Sequence, residues 1–345
     1  MEVISLQPDS NEKRPWYKRP IFYVAALTAI IAIGAFWLGF VYNTIVVDND
    51  SFLTNITHAI FGKDEAVEEN DPNPLPTPET DRLDVLILGI RGGTAKEIEG
   101  EGGLLADSIL VASIDKKTKK ASLISIPRDL SIDLLGVKGK INEIYEQSLK
   151  RKQNLELAKQ IVSRISGVYV DKAVVFDFNA FKNIVDTLEG IDIYLARPFR
   201  ESTQWGYEFS LPVGNNHLNG EQALYYARSR FSTSDFDRAR RQQDIIVAIK
   251  NKASKNGYFS NPLKITNLLS ELKGDIKTDF QIWDVRDILD LANSFNPKSK
   301  VENYVLTYEN LLYEARSTKE EYILMPKGDN YDGIRNLFKN ILIEI

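Results

Sequence analysis

The chain has 345 residues, a formal net charge of −5, no cysteine and two histidines, His58 and His217. Without cysteine there is no disulfide, thiolate metal site or thiol nucleophile. Two distant histidines leave little for a zinc or Ser–His–Asp hydrolase, so any acid–base or metal chemistry falls to carboxylates and arginines. At 43% hydrophobic and 26% charged residues the chain is globular, and its near-neutral charge argues against general nucleic-acid binding.

Residues 1–20 carry Lys13, Arg14, Lys18 and Arg19. The next stretch, residues 21–47 (IFYVAALTAIIAIGAFWLGFVYNTIVV), has no charged side chain. Roughly 20 apolar residues in a helix cross a bilayer core of about 30 Å, so this segment is expected to be a transmembrane helix. Basic residues before it and Asp48 and Asp50 after it orient the N-terminus to the cytoplasm. The protein is then a single-pass cell-membrane protein whose C-terminal domain is extracytoplasmic. The span is too long for the core of a cleaved signal peptide and lacks a clear A-x-A site. Residues 48–81 follow as an acidic, proline-rich linker; positions 64–81 alone hold seven acids and four prolines.

The folded domain is expected over 82–255. DVLILGI (84–90) is a buried strand. SILVASID (108–115) and KASLISIPRD (120–129) are two more, joined by a polar turn at hairpin length. Positions 142–165 have helical spacing, AVVFDF (173–178) and IDIYLA (191–196) read as strands, and 179–190 is a helix ending at Gly190. Helices are predicted at 217–228 and 238–254. Alternating strands and helices with one hairpin give an α/β class: a three-layer α-β-α domain with a mixed central sheet. Residues 256–345 stand apart as a C-terminal extension of unknown function, with helical patterns at 262–273 and 282–294, a strand at 322–327 and a helix at 330–344.

One stretch stands out. ARSRFSTSDFDRARRQQ (227–243) holds five arginines, two aspartates and two glutamines in a slightly acidic chain. In extended backbone Arg228 and Arg230 point to the same side. Asp235 or Asp237 suits the cap of the next helix. Arg238 and Gln242 then share the face that continues as Ile245 and Ile249, the inward one. Buried guanidinium groups need anions; either the local aspartates or a bound phosphate would serve, since the guanidinium fork matches both. Asp107 and Arg128 lie at opposite ends of the predicted hairpin, so antiparallel pairing brings them to one edge. With Lys140 a few residues on, that edge suits a metal ion and a phosphate. The glycine-rich loop at 91–103 lacks the lysine and spacing of a P-loop.

The blocks ADSILVASID…KKASLISIPRDL, GKINEIYEQ and LPVGNNHLNGEQALYYARSR…SDFDRARRQQ, over residues 83–255, resemble the LytR–CpsA–Psr family of bacterial cell-envelope proteins. The resemblance implies a phosphotransferase that moves a phospho-glycopolymer from a polyprenyl-pyrophosphate carrier to a cell-wall acceptor such as peptidoglycan, with Mg²⁺. It implies that Asp107 binds the metal. Arg128, Lys140, Arg228, Arg230, Arg238 and Gln242 are implied to bind the pyrophosphate. Asp235, with the arginines 128, 228, 230 and 238, is implied to act in catalysis. Two positions depart from the family pattern: Arg91 stands where many members have an aspartate, and Leu105 where many have an arginine. A pyrophosphatase that uses water, or a lipid-carrier-binding regulatory protein without turnover, are the alternatives.

Overall fold

The computed structural model describes residues 71–92, 102–258, 261, 264, 276–280, 284 and 301–343. The expected membrane span at 21–47 lies outside the described residues, as do nearly all of the helices expected at 262–273 and 282–294. Among the described residues no helix is long and apolar enough to cross a membrane.

Strand β1 (Arg82–Ile90) sends alternate side chains to two cores. Leu86 and Leu88 meet Ile109, Val111 and Ile124 on one face, while Leu83 and Val85 meet Ala112, Ile114 and Leu123 on the other. Burial on both faces is why DVLILGI reads as a continuous apolar run. β2 (Ala106–Asp115) and β3 (Ala121–Ser125) form the expected antiparallel hairpin. A second hairpin, β4 (Ser131–Leu134) and β5 (Val137–Lys140), follows.

The helix expected over 142–165 is two helices, α1 (Ile144–Lys150) and α2 (Glu156–Ser166). Lys152 and Asn154 adopt left-handed backbone at φ 57° and 47°, which no helix continues through. β6 (Lys172–Phe176) runs parallel to β1. Helix α3 (Phe178–Thr187) is capped by the Asp177 carboxylate, which accepts from the Ala180 amide at 2.8 Å. β7 (Ile191–Leu195) pairs with β10 (Gly214–Leu218), and β8 (Phe199–Glu201) with β9 (Phe209–Leu211). Helices α4 (Gly220–Arg228) and α5 (Asp235–Lys255) carry the arginine-rich stretch between and within them.

β11 (Ile276–Thr278), β12 (Val301–Val305), β13 (Leu312–Arg316), β14 (Tyr322–Pro326) and α6 (Asp332–Asn340) complete the described elements. The central sheet has the order β11-β6-β1-β2-β3-β12 and mixes parallel and antiparallel pairs. α1, α2 and α6 pack on one face. Ile246 and Val247 of α5 pack on the other. The domain is therefore mixed α/β with helices on both faces.

The sheet does not stop at residue 255. Both of its edge strands, β11 beside β6 and β12 beside β3, come from the segment set apart as an extension. Ile334 and Phe338 of α6 share a core with Ile161 and Ile165 of α2. The spacer also joins the domain. Arg164 pairs with Asp71 at 2.5 Å, and Arg335 donates to the Asn73 side chain at 2.7 Å.

α3 and α4 touch at Gly220, whose amide donates to Asp186 at 2.7 Å. A Cβ there would sit 2.5 Å from the Lys182 carbonyl oxygen. Gly220→Ala is expected to lower unfolding stability by about 1–3 kcal/mol through overpacking, read from denaturant midpoints. An unchanged midpoint would mean that the two helices do not meet so closely.

Candidate active site

Arg128 and Asp107 meet at the open end of the β2–β3 hairpin, as the register requires. The Arg128 guanidinium donates to the Asp107 carboxylate at 2.7 Å. Its Nε is buried, 3.4 Å from Asp235 and 3.5 Å from Asp129, yet makes no hydrogen bond among the described residues. Arg238, only 7% exposed, reaches the same point from α5. It pairs with Asp235 at 3.1 Å and donates to the Asp107 carbonyl at 3.4 Å. These groups and Gln242 form a partition between two chambers.

The first chamber, of about 250 Å³, runs between α3, α4 and α5 and is lined by Phe176, Phe178, Phe181, Ile184, Leu224, Ile245 and Ile249. Arg228 and Arg230 stand in its wall with Gln204. The second, of about 290 Å³, lies beyond the partition and is lined by Asp129, Asp235, Phe236, Tyr308, Glu314 and Tyr322. Ser125, Ser234 and Pro127 also line it.

The Arg-Ser-Arg segment is held extended by its backbone. Gln204 donates to the Arg228 carbonyl at 3.1 Å and accepts from the Arg230 amide at 2.7 Å. Ser229 turns the opposite way, fully buried, and its hydroxyl accepts from the Trp205 indole at 3.2 Å. Arg228 and Arg230 therefore emerge on one side. The Arg228 guanidinium lies 4.1 Å from the Phe178 ring centroid and 5.0 Å from that of Trp205.

The rest of the motif divides in two. Ser234, not Asp235 or Asp237, caps α5; its hydroxyl accepts from the Asp237 amide at 3.0 Å, and Asp237 answers in a capping box. Asp235 is thereby released to face the arginines. Arg241 and Gln243, which the helical spacing does not single out, are buried and structural. Arg241 donates to the carbonyls of Tyr226, at 2.9 Å, and Ser229. Gln243 bridges the Tyr304 carbonyl and the Ser125 hydroxyl, each at 2.8 Å. Glu201, fully buried, accepts from the Phe231 and Ser232 amides at 3.1 and 3.2 Å. Nothing in the sequence marks Glu201 or Gln204, because their partners are backbone atoms far along the chain.

Lys140 lines neither chamber; its ammonium pairs with Asp129 at 2.6 Å. Arg91 is exposed, and its charge is felt at Arg228. Leu105 lines neither chamber.

Burial, with the nearby charges of Arg91 and Arg230, pushes Arg228 below the ordinary guanidinium value, against the opposing pull of Asp107. Burial, with Arg128 and Arg230, does the same to Arg238 against Asp235 and Asp107. Burial opposes the Arg128 charge as well, but the hydrogen bond to Asp107 and the carboxylates of Asp235 and Asp129 outweigh it and hold Arg128 above that value. Around the partition four guanidinium groups thus face two carboxylates, Asp129 being matched by Lys140. The excess of two positive charges suits a pyrophosphate diester, each of whose two phosphates carries one negative charge.

Among the described residues no three His, Cys, Asp or Glu side chains gather into a metal cage. The carboxylate of Asp107, 43% exposed at the partition, suits a magnesium ion held through one protein carboxylate and the oxygens of a phosphate substrate. Glu97, Glu99 and Glu101, the acids near Arg91 in sequence that could replace the aspartate missing there as a metal ligand, lie outside the described residues.

Arg228→Met removes a desolvated charge and keeps the volume, so the melting temperature is expected to hold or rise. Arg241→Met strands the Tyr226 and Ser229 carbonyls and should cost at least about 2 kcal/mol. Thermal unfolding of the two variants side by side tests this; equal losses would mean that both arginines are structural.

The LytR_cpsA_psr family model matches residues 50–338. The polyisoprenyl-teichoic acid–peptidoglycan teichoic acid transferase TagV of Bacillus subtilis (strain 168) is 25% identical, over 93% of this chain and 78% of its own. The corresponding transferase TagU of Enterococcus faecalis is 28% identical, over 67% of this chain and 73% of its own. The structure of TagT bound to LIIa-WTA superposes with a TM-score of 0.59 at 22% identity, covering 80% of this chain and 98% of that one. A match over so much of the sheet, the partition and the C-terminal strands makes the assignment plain: the chain belongs to the LytR_cpsA_psr family.

Proposed function

We propose that the protein transfers a phospho-glycopolymer from a polyprenyl-pyrophosphate carrier to a hydroxyl of peptidoglycan or a similar wall glycan. The observation that carries this reading is an apolar chamber that ends at a wall of arginines. An isoprenoid chain belongs in the first part and a pyrophosphate at the second. The names of the relatives support the substrate class. Residues 21–47 then anchor the chain in the bilayer that also holds the carrier lipid.

The carrier's chain enters between α3, α4 and α5. Arg228 and Arg230 bind the pyrophosphate from the chamber side, Arg128 and Arg238 from the partition, and Gln242 lies between them. The acceptor hydroxyl oxygen attacks the glycan-linked phosphorus. The bond from that phosphorus to the bridging oxygen breaks, and its electron pair leaves with polyprenyl phosphate. Asp235, beside Arg128 and Arg238, takes the hydroxyl proton and passes it to solvent. The arginines stabilise the charge that grows on the bridging and equatorial oxygens in this in-line displacement. Lys140 acts through Asp129, a carboxylate it shares with Arg128. Asp107 would hold Mg²⁺, which when bound supplies further charge neutralisation at the phosphates.

The test incubates the full chain in detergent with a polyprenyl-pyrophosphate-linked glycan, with and without a peptidoglycan acceptor and Mg²⁺. Acceptor-dependent release of polyprenyl phosphate, with phosphodiester-linked product, is expected. Arg228→Ala should reduce kcat/KM by about a hundredfold or more. Release that needs no acceptor would make the protein a pyrophosphatase; binding without turnover would make it a carrier-binding protein. Asp107→Ala is expected to abolish the response to Mg²⁺ titration along with activity, and an unchanged titration would remove the metal from Asp107.

A further inference from the structure

We propose that the second chamber is the acceptor site, where a sugar ring of the wall glycan is bound and one hydroxyl is aimed through the partition. This rests on the transferase reading above.

Five residues, Asp107, Ser108, Arg128, Arg238 and Gln242, line both chambers. A phosphorus held by these arginines has one chamber on each side. In-line displacement puts the attacking and leaving oxygens on opposite sides of the phosphorus. The leaving group carries the isoprenoid, and only the first chamber is apolar enough for it. The attacking oxygen must then arrive from the second. Asp235 lines the second chamber and not the first, as the group receiving the acceptor's proton should.

The wall of the second chamber has the chemistry a sugar needs. A sugar offers CH faces to aromatic rings and hydroxyl donors to carboxylates. Tyr308 and Tyr322 are 45% and 39% exposed, large for aromatic rings in a chamber wall. Phe236 of α5 holds Tyr308 edge-on at 5.2 Å between centroids. The Tyr322 hydroxyl donates to Glu314 at 3.1 Å. Glu314 lines this chamber as well, while Asp129 and Asp235 line it at the partition, paired with Lys140 and the arginines. Carboxylate oxygens at both ends of the chamber can accept hydrogen bonds from the hydroxyls of an uncharged ring.

Tyr308, Glu314 and Tyr322 share an origin as well: all lie in or beside β12–β14. That segment is docked where the site needs it, because the Leu324 amide donates to the Asp129 carbonyl at 2.9 Å, next to Arg128. The C-terminal segment thus brings the acceptor surface to a sheet that already carries the donor surface.

Two readouts on the full chain test the proposal. In the transfer assay, Tyr308→Ala and the milder Glu314→Gln should raise the KM for an uncrosslinked peptidoglycan oligosaccharide by about tenfold, or ~1.4 kcal/mol. Affinity for the lipid-linked donor and the melting temperature should stay within error. In saturation-transfer NMR, the oligosaccharide alone should contact the wild type and Arg228→Ala but not Tyr308→Ala. If the wild type binds the oligosaccharide through Tyr308 yet transfers nothing, the acceptor site stands and the transferase reading fails. If transfer occurs and the Tyr308 and Glu314 variants keep the wild-type acceptor KM, this proposal is overturned and the transferase reading survives. Donor affinity falling in step with acceptor KM would likewise overturn it, by giving the chamber to the donor's own glycan.

Discussion

The ion pair between Arg128 and Asp107 is the partition on which both chambers depend. It follows from the register of one hairpin. Leu110 is paired with Ser125, and three residues outward along each strand lie Asp107 and Arg128. A slip of one residue would turn every side chain of β3 to the other face of the sheet and move Arg128 off its partner. Two-faced burial forbids that slip: Ile124 and Ile126 belong to one core, Leu123 and Ala121 to the other. The position of a charged pair at the sheet's edge is thus fixed by apolar packing at its centre. Arg238 and Asp235 then join the pair from α5, whose packing on the same sheet sets their reach.

The arginines are held in place at a cost to stability. Arg228 and Arg238 are desolvated, and neighbouring arginines offset part of the attraction of their carboxylates. Their backbone is held by other residues. Gln204 brackets the Arg-Ser-Arg segment, Arg241 binds the carbonyls of Tyr226 and Ser229, and Glu201 collects the amides of Phe231 and Ser232. Such supports hold the charge arrangement in place, because rearranging it would break buried hydrogen bonds. The one motif ARSRFSTSDFDRARRQQ therefore contains both the charges and part of their scaffold.

Much of the fold is legible in the sequence for a physical reason: buried strands write continuous apolar runs, and the first three strands, α3, β7 and α4 show themselves in such runs, in spacing or in stops. The break between α1 and α2 does not, since left-handed backbone at Lys152 and Asn154 leaves no mark in a spacing pattern. Nor do the sheet's edges. β11 is three residues long, and the Val-Glu-Asn-Tyr-Val of β12 finds its partner β3 some 180 positions earlier. At the site, the same-side placement of Arg228 and Arg230 and the inward face of Arg238 follow from periods of two and 3.6. Arg241 and Gln243 escape because their burial depends on carbonyls at the C-terminal end of α4 and on an edge strand, which no helical pattern encodes. Nearness in sequence groups Lys140 with the phosphate ligands, but β5 turns it to Asp129.

Joining an apolar chamber to a charged partition has a consequence for selectivity on the proposed reading. Four arginines would bind many soluble diphosphates. An isoprenoid seated between α3, α4 and α5 buries apolar surface worth about 25 cal/mol per Å², which a nucleotide sugar cannot match. It also displaces water from beside Arg228 and Arg230, and charge–charge attraction strengthens as the local dielectric falls. The two contributions reinforce each other only when lipid and pyrophosphate belong to one molecule. The burial that depresses Arg228 and Arg238 is then matched by a dianion held in the same dry place, so the cost of burying those charges becomes affinity for the lipid-linked donor.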